Sequence, residues 1–209
     1  MKSSLGVLLV FVLGGAVGLT GWVPKEWIGS DTSLTILYLL VLQVGLSLGS
    51  SKNLKEIVQS VNLRVLVIPL ATIFGTLLFT ALASFMLSQW SAYDCMAVGS
   101  GFAYYSLSSV LITELKGASA GIQIATELGT IALLTNIIRE MIGLLGAPVF
   151  TKYFGRLAPI SVAGINSMDV CLPVISKCAG QAVIPMAIVH GIILERCVPF
   201  LVSMFCQMT

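Results

Sequence analysis

Charge is what this sequence has least of. Its 209 residues include 11 Lys or Arg and 9 Asp or Glu, so 10% are charged, where a soluble domain carries about 25%. Hydrophobic residues make up 57% and the mean hydropathy is +1.01. That little polar surface does not cover a soluble globule, which leaves a bilayer as the solvent. The other absences exclude chemistry. There is one His, and none of the five cysteines (Cys95, Cys171, Cys178, Cys197 and Cys206) forms a CxxC pair. All five lie in or beside apolar runs and read as small packing residues, not as metal or redox ligands. A net charge of +2 is too small for nucleic-acid binding. The glycines of "VGSGFAYY" (98–105) follow no strand and precede no GKS or GKT, so they form no phosphate loop. Asp31 and Asp94 fall in loops, which leaves Asp169 as the one clearly intramembrane aspartate and argues against an intramembrane aspartyl protease. No enzyme, cofactor or metal is expected.

Long apolar runs are what the chain does have. Residues 4–23 span about one membrane thickness at 1.5 Å per residue. Lys2 precedes them, but the run is long for a signal peptide and lacks a small-x-small cleavage site, so an uncleaved span is expected. Residues 34–50 and 65–87 are the second and third spans. A polar loop (51–64) separates them, and a short loop (88–94) with the interfacial residues Trp90 and Tyr93 follows. Residues 95–117 are apolar at first but interrupted by Gly99, Gly101, Ser106, Ser108 and Ser109. Residues 119–146 form a long span carrying Glu127, Asn136, Arg139 and Glu140. A polar connection (147–158) holds Lys152 and Arg156. Residues 159–180 are broken again, at Gly164, Asn166, Asp169 and Pro173, and residues 181–205 are the last span.

The expected fold is therefore an all-α polytopic membrane protein with five full transmembrane helices and two broken, re-entrant segments. It forms one transport domain: three N-terminal spans (1–94), then two units with a broken segment each (95–146 and 159–209). "YSLSSVLIT" (105–113) and "NSMDVCLPV" (166–174) share a polar-Ser-apolar-Ser/Asp-x-x-Leu pattern, as in an inverted repeat of a secondary transporter. Lys52, Lys55 and Arg64 put the loop after the second span in the cytoplasm. With re-entrant segments Lys152, Arg156 and Lys177 also fall inside, and only Lys25 and Lys116 outside. The N-terminus is then cytoplasmic and the C-terminus outside.

Polar residues inside these spans need a partner or a task, since an ionised group at the bilayer centre costs roughly 2.5–3.5 kcal/mol on insertion scales. Asn136 and Glu140 are four apart in "LLTNIIREMIGLL" (133–145) and share a helix face. Glu140 with the adjacent Arg139 reads either as a buried pair that fixes packing or as a cation or proton site. Asp169 reads as a half-helix cap, as a cargo or proton site, or as both. Pro173 is compatible with a first helical turn. Glu114 beside Lys116, and Glu195 with Arg196 near the outer end of the last span, read as interfacial. Glu127 reads as close to water. His190 reads as a packed, hydrogen-bonded histidine.

Four stretches, "SGFAYYSLSSVLITELKG" (100–117), "NIIREMIG" (136–143), "GINSMDVCLPVI" (164–175) and "IVHGIIL" (188–194), resemble in order and spacing the motifs of the LysO-type lysine exporter family, and a looser resemblance covers nearly the whole chain. The resemblance implies a bacterial inner-membrane exporter of L-lysine and of its toxic analogue thialysine, with intramembrane acids matching Glu140 in "RE" and Asp169 in "SMD". Two departures stand out. The usual extra N-terminal spans are absent, as in a split form completed by a separately encoded short membrane protein. Glu195–Arg196 also replaces a normally apolar pair.

The mechanism this implies is antiport. A buried carboxylate that holds either a proton or an ammonium group exchanges one for the other. Asp169 and Glu140 would carry that exchange, with Asn136, Arg139, Asn166 and Glu114 nearby. Ser106, Ser108, Ser167 and half-helix N-termini would hold the cargo carboxylate, and Tyr104 and Tyr105 would shape the cavity. The partners expected are lysine, protons, the bilayer, the short membrane protein and further copies of the chain. A monovalent cation/proton antiporter, or a non-autonomous subunit of a split transporter, are the alternatives.

Overall fold

The structure is a computed structural model that describes residues 63–208, together with residues 13, 14, 16–20 and 35. The second expected span (34–50), nearly all of the polar loop, and Lys2, Lys25, Lys52 and Lys55, on which the topology rests, lie outside the described residues apart from residue 35. Of the first span, residues 13, 14 and 16–20 are helical. The chain divides into two units, Met1–Ser51 and Lys52–Thr209.

Every described element of the second unit is helical. Helix α1 is Leu63–Ala83 and runs into a 3-10 turn, Ser84–Met86. A short helix α2, Ala92–Gly99, is followed by an interruption at residues 100–104 and then by α3, Tyr105–Ala120. Helix α4, Ile122–Phe154, has 33 residues. A second short helix α5, Ala158–Ala163, gives way to a 3-10 segment, Gly164–Met168, and then to α6, Leu172–Ala179. A 3-10 turn, Gln181–Val183, leads into α7, Ile184–Gln207. Among the described residues three helices are long and apolar enough to cross a membrane: Val65–Met86, Ile122–Phe154 and Gln181–Gln207. They coincide with the third, fourth and last spans expected from the sequence.

Both interrupted stretches are broken as expected, and the order short helix, break, helix, glycine, long helix occurs twice. The two glycines adopt one conformation, Gly121 at φ 89, ψ 154 and Gly180 at φ 91, ψ 160, a region essentially closed to other residues. The motif copies are less equivalent than their letters. Tyr105 opens α3, whereas Asn166 lies inside the 3-10 segment ahead of α6. The connection expected at 147–158 is also shorter than it reads. Helix α4 continues through Pro148 to Phe154, where Gly155 at φ 92 ends it. At 1.5 Å per residue α4 is about 50 Å long, longer than the hydrocarbon core, which allows its Lys152 end to reach beyond it.

Two clusters of buried side chains hold the unit together. One gathers Phe102, Ile112, Leu128, Leu194, Val198 and Val202, and the other Leu144, Ile160, Ile175 and Val183. The exposed face of α1 is apolar throughout (Val67, Leu70, Phe74, Leu78, Leu82), as a lipid-facing helix requires.

Candidate functional site

The first break is held from the side by α4. Phe102 (φ 45) and Ala103 (φ 74) take the left-handed conformation, which is uncommon without glycine. Asn136 secures them. Its Oδ1 accepts the Ala103 N–H at 2.8 Å, and its Nδ2 donates to the Ala132 carbonyl at 2.9 Å, the Val98 carbonyl at 3.2 Å and Ser108 Oγ at 3.4 Å. Ser108 in turn donates to the Tyr104 carbonyl at 2.8 Å. Any Cβ on Gly101 would strike Asn136.

The second break packs on the first. Ile165 N–H donates to the Phe102 carbonyl at 3.0 Å. Gly164 sits at φ 62, and a Cβ there would collide with that same carbonyl oxygen. Ser167 Oγ donates to the Ala187 carbonyl at 2.9 Å and lies 3.2 Å from His190 Nδ1, while His190 Nε2 lies 3.1 Å from Thr72 Oγ1. His190 is fully buried and ties the break to both α1 and α7, in keeping with its reading as a packed histidine. Arg139 donates from Nε to the Val162 carbonyl (3.2 Å), from Nη2 to the Ser161 carbonyl (3.1 Å) and from Nη1 to Thr76 Oγ1 (3.4 Å), and it lies 5.5 Å from the centre of the Phe102 ring. It thus satisfies carbonyls at the end of α5. The packing reading of an Arg139–Glu140 ion pair fails, because the guanidinium turns to α5 and α1 and no such pair forms.

Three carboxylates surround the second break. Glu140, one turn beyond Asn136 on α4, is 4% exposed and faces Asn166. That contact is loose, since Asn166 is itself 7% exposed and its Nδ2 has no well-formed acceptor. Asp169 stands exposed where the 3-10 segment ends, and its Oδ1 takes the N–H of the next residue, Val170. It does not cap α6, whose N-cap is Cys171 and which has no side-chain cap. Glu195 is half-buried. It corrects the interfacial reading, for it lies at the middle of α7, not at its end. Asp169 interacts electrostatically with both other acids. Tyr105 stands near Glu140 and Asp169, and Tyr104 near Glu195 and Asp169.

Residues 8–206 match the family model described as lysine exporter LysO. The chain belongs to the LysO lysine exporter family. It is 32% identical to the Escherichia coli (strain K12) protein named lysine exporter LysO, over 97% of this chain and 64% of that protein. It is 30% identical to a Haemophilus influenzae protein named "Putative lysine exporter", over 95% of this chain and 96% of that protein. The chain thus spans less than two thirds of the length of the E. coli relative. No solved structure matches it.

Within this LysO-family chain the structure gathers some of the residues singled out from sequence and disperses others. Glu140, Asp169, Asn166 and Tyr105 come together. Asn136, Ser108, Ser167 and Arg139 instead hold the breaks themselves, through hydrogen bonds to backbone. Ser106 is half-buried in the first turn of α3, and Glu114 is exposed farther along the same helix. Lys116, close to Glu114 in sequence, turns inward. It is buried and paired with Asp94 at 2.6 Å. Burial alone pushes the Asp94 carboxyl up. Hydrogen bonds from Lys116 and Ser91, with the Lys116 charge, outweigh that and hold it below the ordinary aspartate range. An open hollow of about 590 Å³ lies at the start of α4, lined by Ile122, Gln123, Thr126, Glu127, Thr130 and Ile131. It is more than two helical turns from Glu140.

Proposed function

We propose that this chain is a multi-pass inner-membrane secondary exporter that moves L-lysine outward in exchange for protons, with Asp169 and Glu140 as the exchanging acids. The observation that carries the reading is the second break itself: two carboxylates that act on each other electrostatically beside a buried Asn166 amide that makes no well-formed hydrogen bond to the Glu140 it faces, where two interrupted segments meet backbone to backbone. Both named relatives bear the words lysine exporter, which supplies the cargo. In the proposed arrangement the interrupted segments turn back within the bilayer, the two repeat units face opposite ways, and the described spans join two N-terminal ones to make five. The N-terminus is cytoplasmic and the C-terminus outside.

Chemically, like charges in one site raise the cost of ionising both. One acid therefore releases its proton most readily when an ammonium group arrives to replace it, and inward protons return when the cargo leaves. Asn136 and Arg139 fix the breaks so that the acids stay in register. Thialysine, lysine with a sulfur in place of one methylene, keeps both ammonium groups and is expected as a cargo.

The test is efflux of labelled lysine from proteoliposomes with and without an imposed proton gradient. Wild type should show gradient-driven efflux. Asp169→Asn should lose at least about tenfold, the lower end of what a charge-assisted contact contributes. Flux that follows sodium or potassium instead of lysine would make the chain a cation/proton antiporter. Flux that appears only on adding a short membrane partner would make it one subunit of a larger transporter.

A further inference from the structure

The third carboxylate has no part in that exchange as stated, and its position in the fold gives it one. Helix α7 meets the 3-10 segment Gly164–Met168 at Gly191. A Cβ there would lie 2.7 Å from Met168 Cβ and 2.8 Å from the Ile165 carbonyl oxygen, so helix and break touch at that point. Glu195 is one turn farther along α7 on the same face, and Asp169 is the residue after Met168. From the other side of the break α4 brings Glu140 to Asn166. The 3-10 segment is thus flanked by two long helices, each delivering one carboxylate, with Asp169 between them at its end.

Two hydrogen-bond donors accompany the acids and have no well-formed acceptor. One is Nδ2 of Asn166, 7% exposed and facing Glu140. The other is the buried Oη of Tyr104, beside Asp169 and Glu195. Arg196, next to Glu195 along the helix, is exposed and acts on it electrostatically. It is a quarter-turn round α7, so it does not replace a cation inside the break. Three acids around one short segment demand more positive charge than one ammonium group brings, because an unneutralised carboxylate in a low-dielectric site is costly.

We propose that Glu195 is a specificity-determining residue of the site: with Glu140 at the opposite end and Asp169 between, it selects a straight-chain cargo carrying an ammonium group at each end, namely lysine and alkyl diamines. Where the cargo also carries a carboxylate, as lysine does at one end, the Asn166 amide or the Tyr104 hydroxyl has an acceptor at that end. This rests on the export reading above. It adds that the site measures the separation of two cations.

The experiment compares wild type, Glu195→Gln and Glu195→Asp in proteoliposomes, reading the half-saturation for labelled lysine, the maximal rate, and competition by 1,5-diaminopentane and by norleucine. Wild-type uptake should be competed by the diamine and hardly by norleucine, whose tail is uncharged. Glu195→Gln should raise the half-saturation about tenfold, the loss of roughly 1.4 kcal/mol of binding. It should weaken diamine competition in parallel and change the maximal rate far less. Glu195→Asp should recover part of both. Thermal melting of each purified variant establishes that it is folded. A folded Glu195→Gln protein with wild-type half-saturation and wild-type diamine competition overturns the assignment of Glu195 and leaves the export reading standing. Wild type that moves no lysine overturns both.

Discussion

The two breaks are made alike and finished differently. In the first, the polar side chains pair with the backbone they interrupt. Asn136 meets the chain on both sides of the turn, and Ser108 closes onto Tyr104. In the second, Arg139, Ser167 and His190 brace the ends, yet Asp169, Glu140 and the Asn166 amide are left with loose or local contacts. A broken helix inside a membrane must satisfy its freed backbone groups from somewhere. The first break draws on Asn136 and Ser108 for this and becomes a fixed support. The second keeps back the groups that a cationic cargo would satisfy. A pair of asparagines separates the two roles.

Exchanging those asparagines for leucine should therefore give opposite results. Asn136→Leu orphans the Ala103 N–H and removes the two contacts donated to Val98 and Ser108 at the first break. The expected loss is about 3–5 kcal/mol from several buried groups, seen as a large fall in the thermal midpoint of the detergent-solubilised protein. Asn166→Leu removes an amide that has no good partner, so its midpoint should stay within about 1 kcal/mol of wild type while lysine flux falls. Equal destabilisation by the two would erase the distinction between support and site.

Gly164→Ala probes the contact between the breaks. The new Cβ would need φ 62 and would meet the Phe102 carbonyl oxygen that already accepts from Ile165. A cost of roughly 2–4 kcal/mol is expected from left-handed strain plus the displaced hydrogen bond. Flux should fall with it, because both breaks move. A Gly164→Ala protein as stable as wild type would mean that the two breaks are not pressed together.

How much of this was legible in the sequence divides along the same line. The interruptions announced themselves, since glycine, serine and an aspartate clustered inside an apolar run break the pattern of a plain span. Asn136 and Glu140 shared a face by simple helical spacing, and that face meets both breaks, Asn136 at the first and Glu140 at the second. What the chain order hides is which far-off segment each polar group meets. Arg139 looked like the partner of Glu140, its neighbour in sequence, but neighbours on a helix point a quarter-turn apart, and the guanidinium found the end of α5. Glu195 looked interfacial because the last apolar run has no clear internal landmark. The contact of Gly191 with Met168 is what sets Glu195, one turn on, beside the second break. The 147–158 stretch read as a connection because it holds two basic residues and a proline, whereas a membrane helix that overshoots the hydrocarbon carries such residues in its last turns.

Asp94 lies away from both breaks and should behave as neither. Its pair with Lys116 joins α2 to α3, with side chains 14% and 4% exposed respectively, so Asp94→Asn should cost about 2 kcal/mol, between a surface pair and a fully buried one. The Asp94 pKa is depressed in the folded chain. Its contribution is therefore fully present above the unfolded pKa and is lost as pH falls through the lower folded value. Thermal midpoints of wild type and Asp94→Asn should differ at neutral pH and converge only below the ordinary aspartate range. Convergence already near pH 6 would contradict the depressed value.

The smallest expected effect sharpens the comparison most, because it touches the second break from outside. Thr72→Val keeps the shape of the side chain and removes the hydroxyl that meets His190 Nε2 at 3.1 Å and donates to the Ile68 carbonyl at 2.9 Å. His190 keeps Ser167 at Nδ1, and the Ile68 carbonyl keeps its place inside α1, so the loss should be only about 1 kcal/mol. If the second break is merely packed, lysine flux should track that small loss and hardly change. If it must shift against α1 as cargo and proton trade places, cutting this link should alter the maximal rate severalfold while the melting temperature moves by a few degrees. A change in rate without a matching change in stability would place the moving contact of the transporter at Thr72 and His190. Proportionate changes in both would leave the second break as rigid as the first.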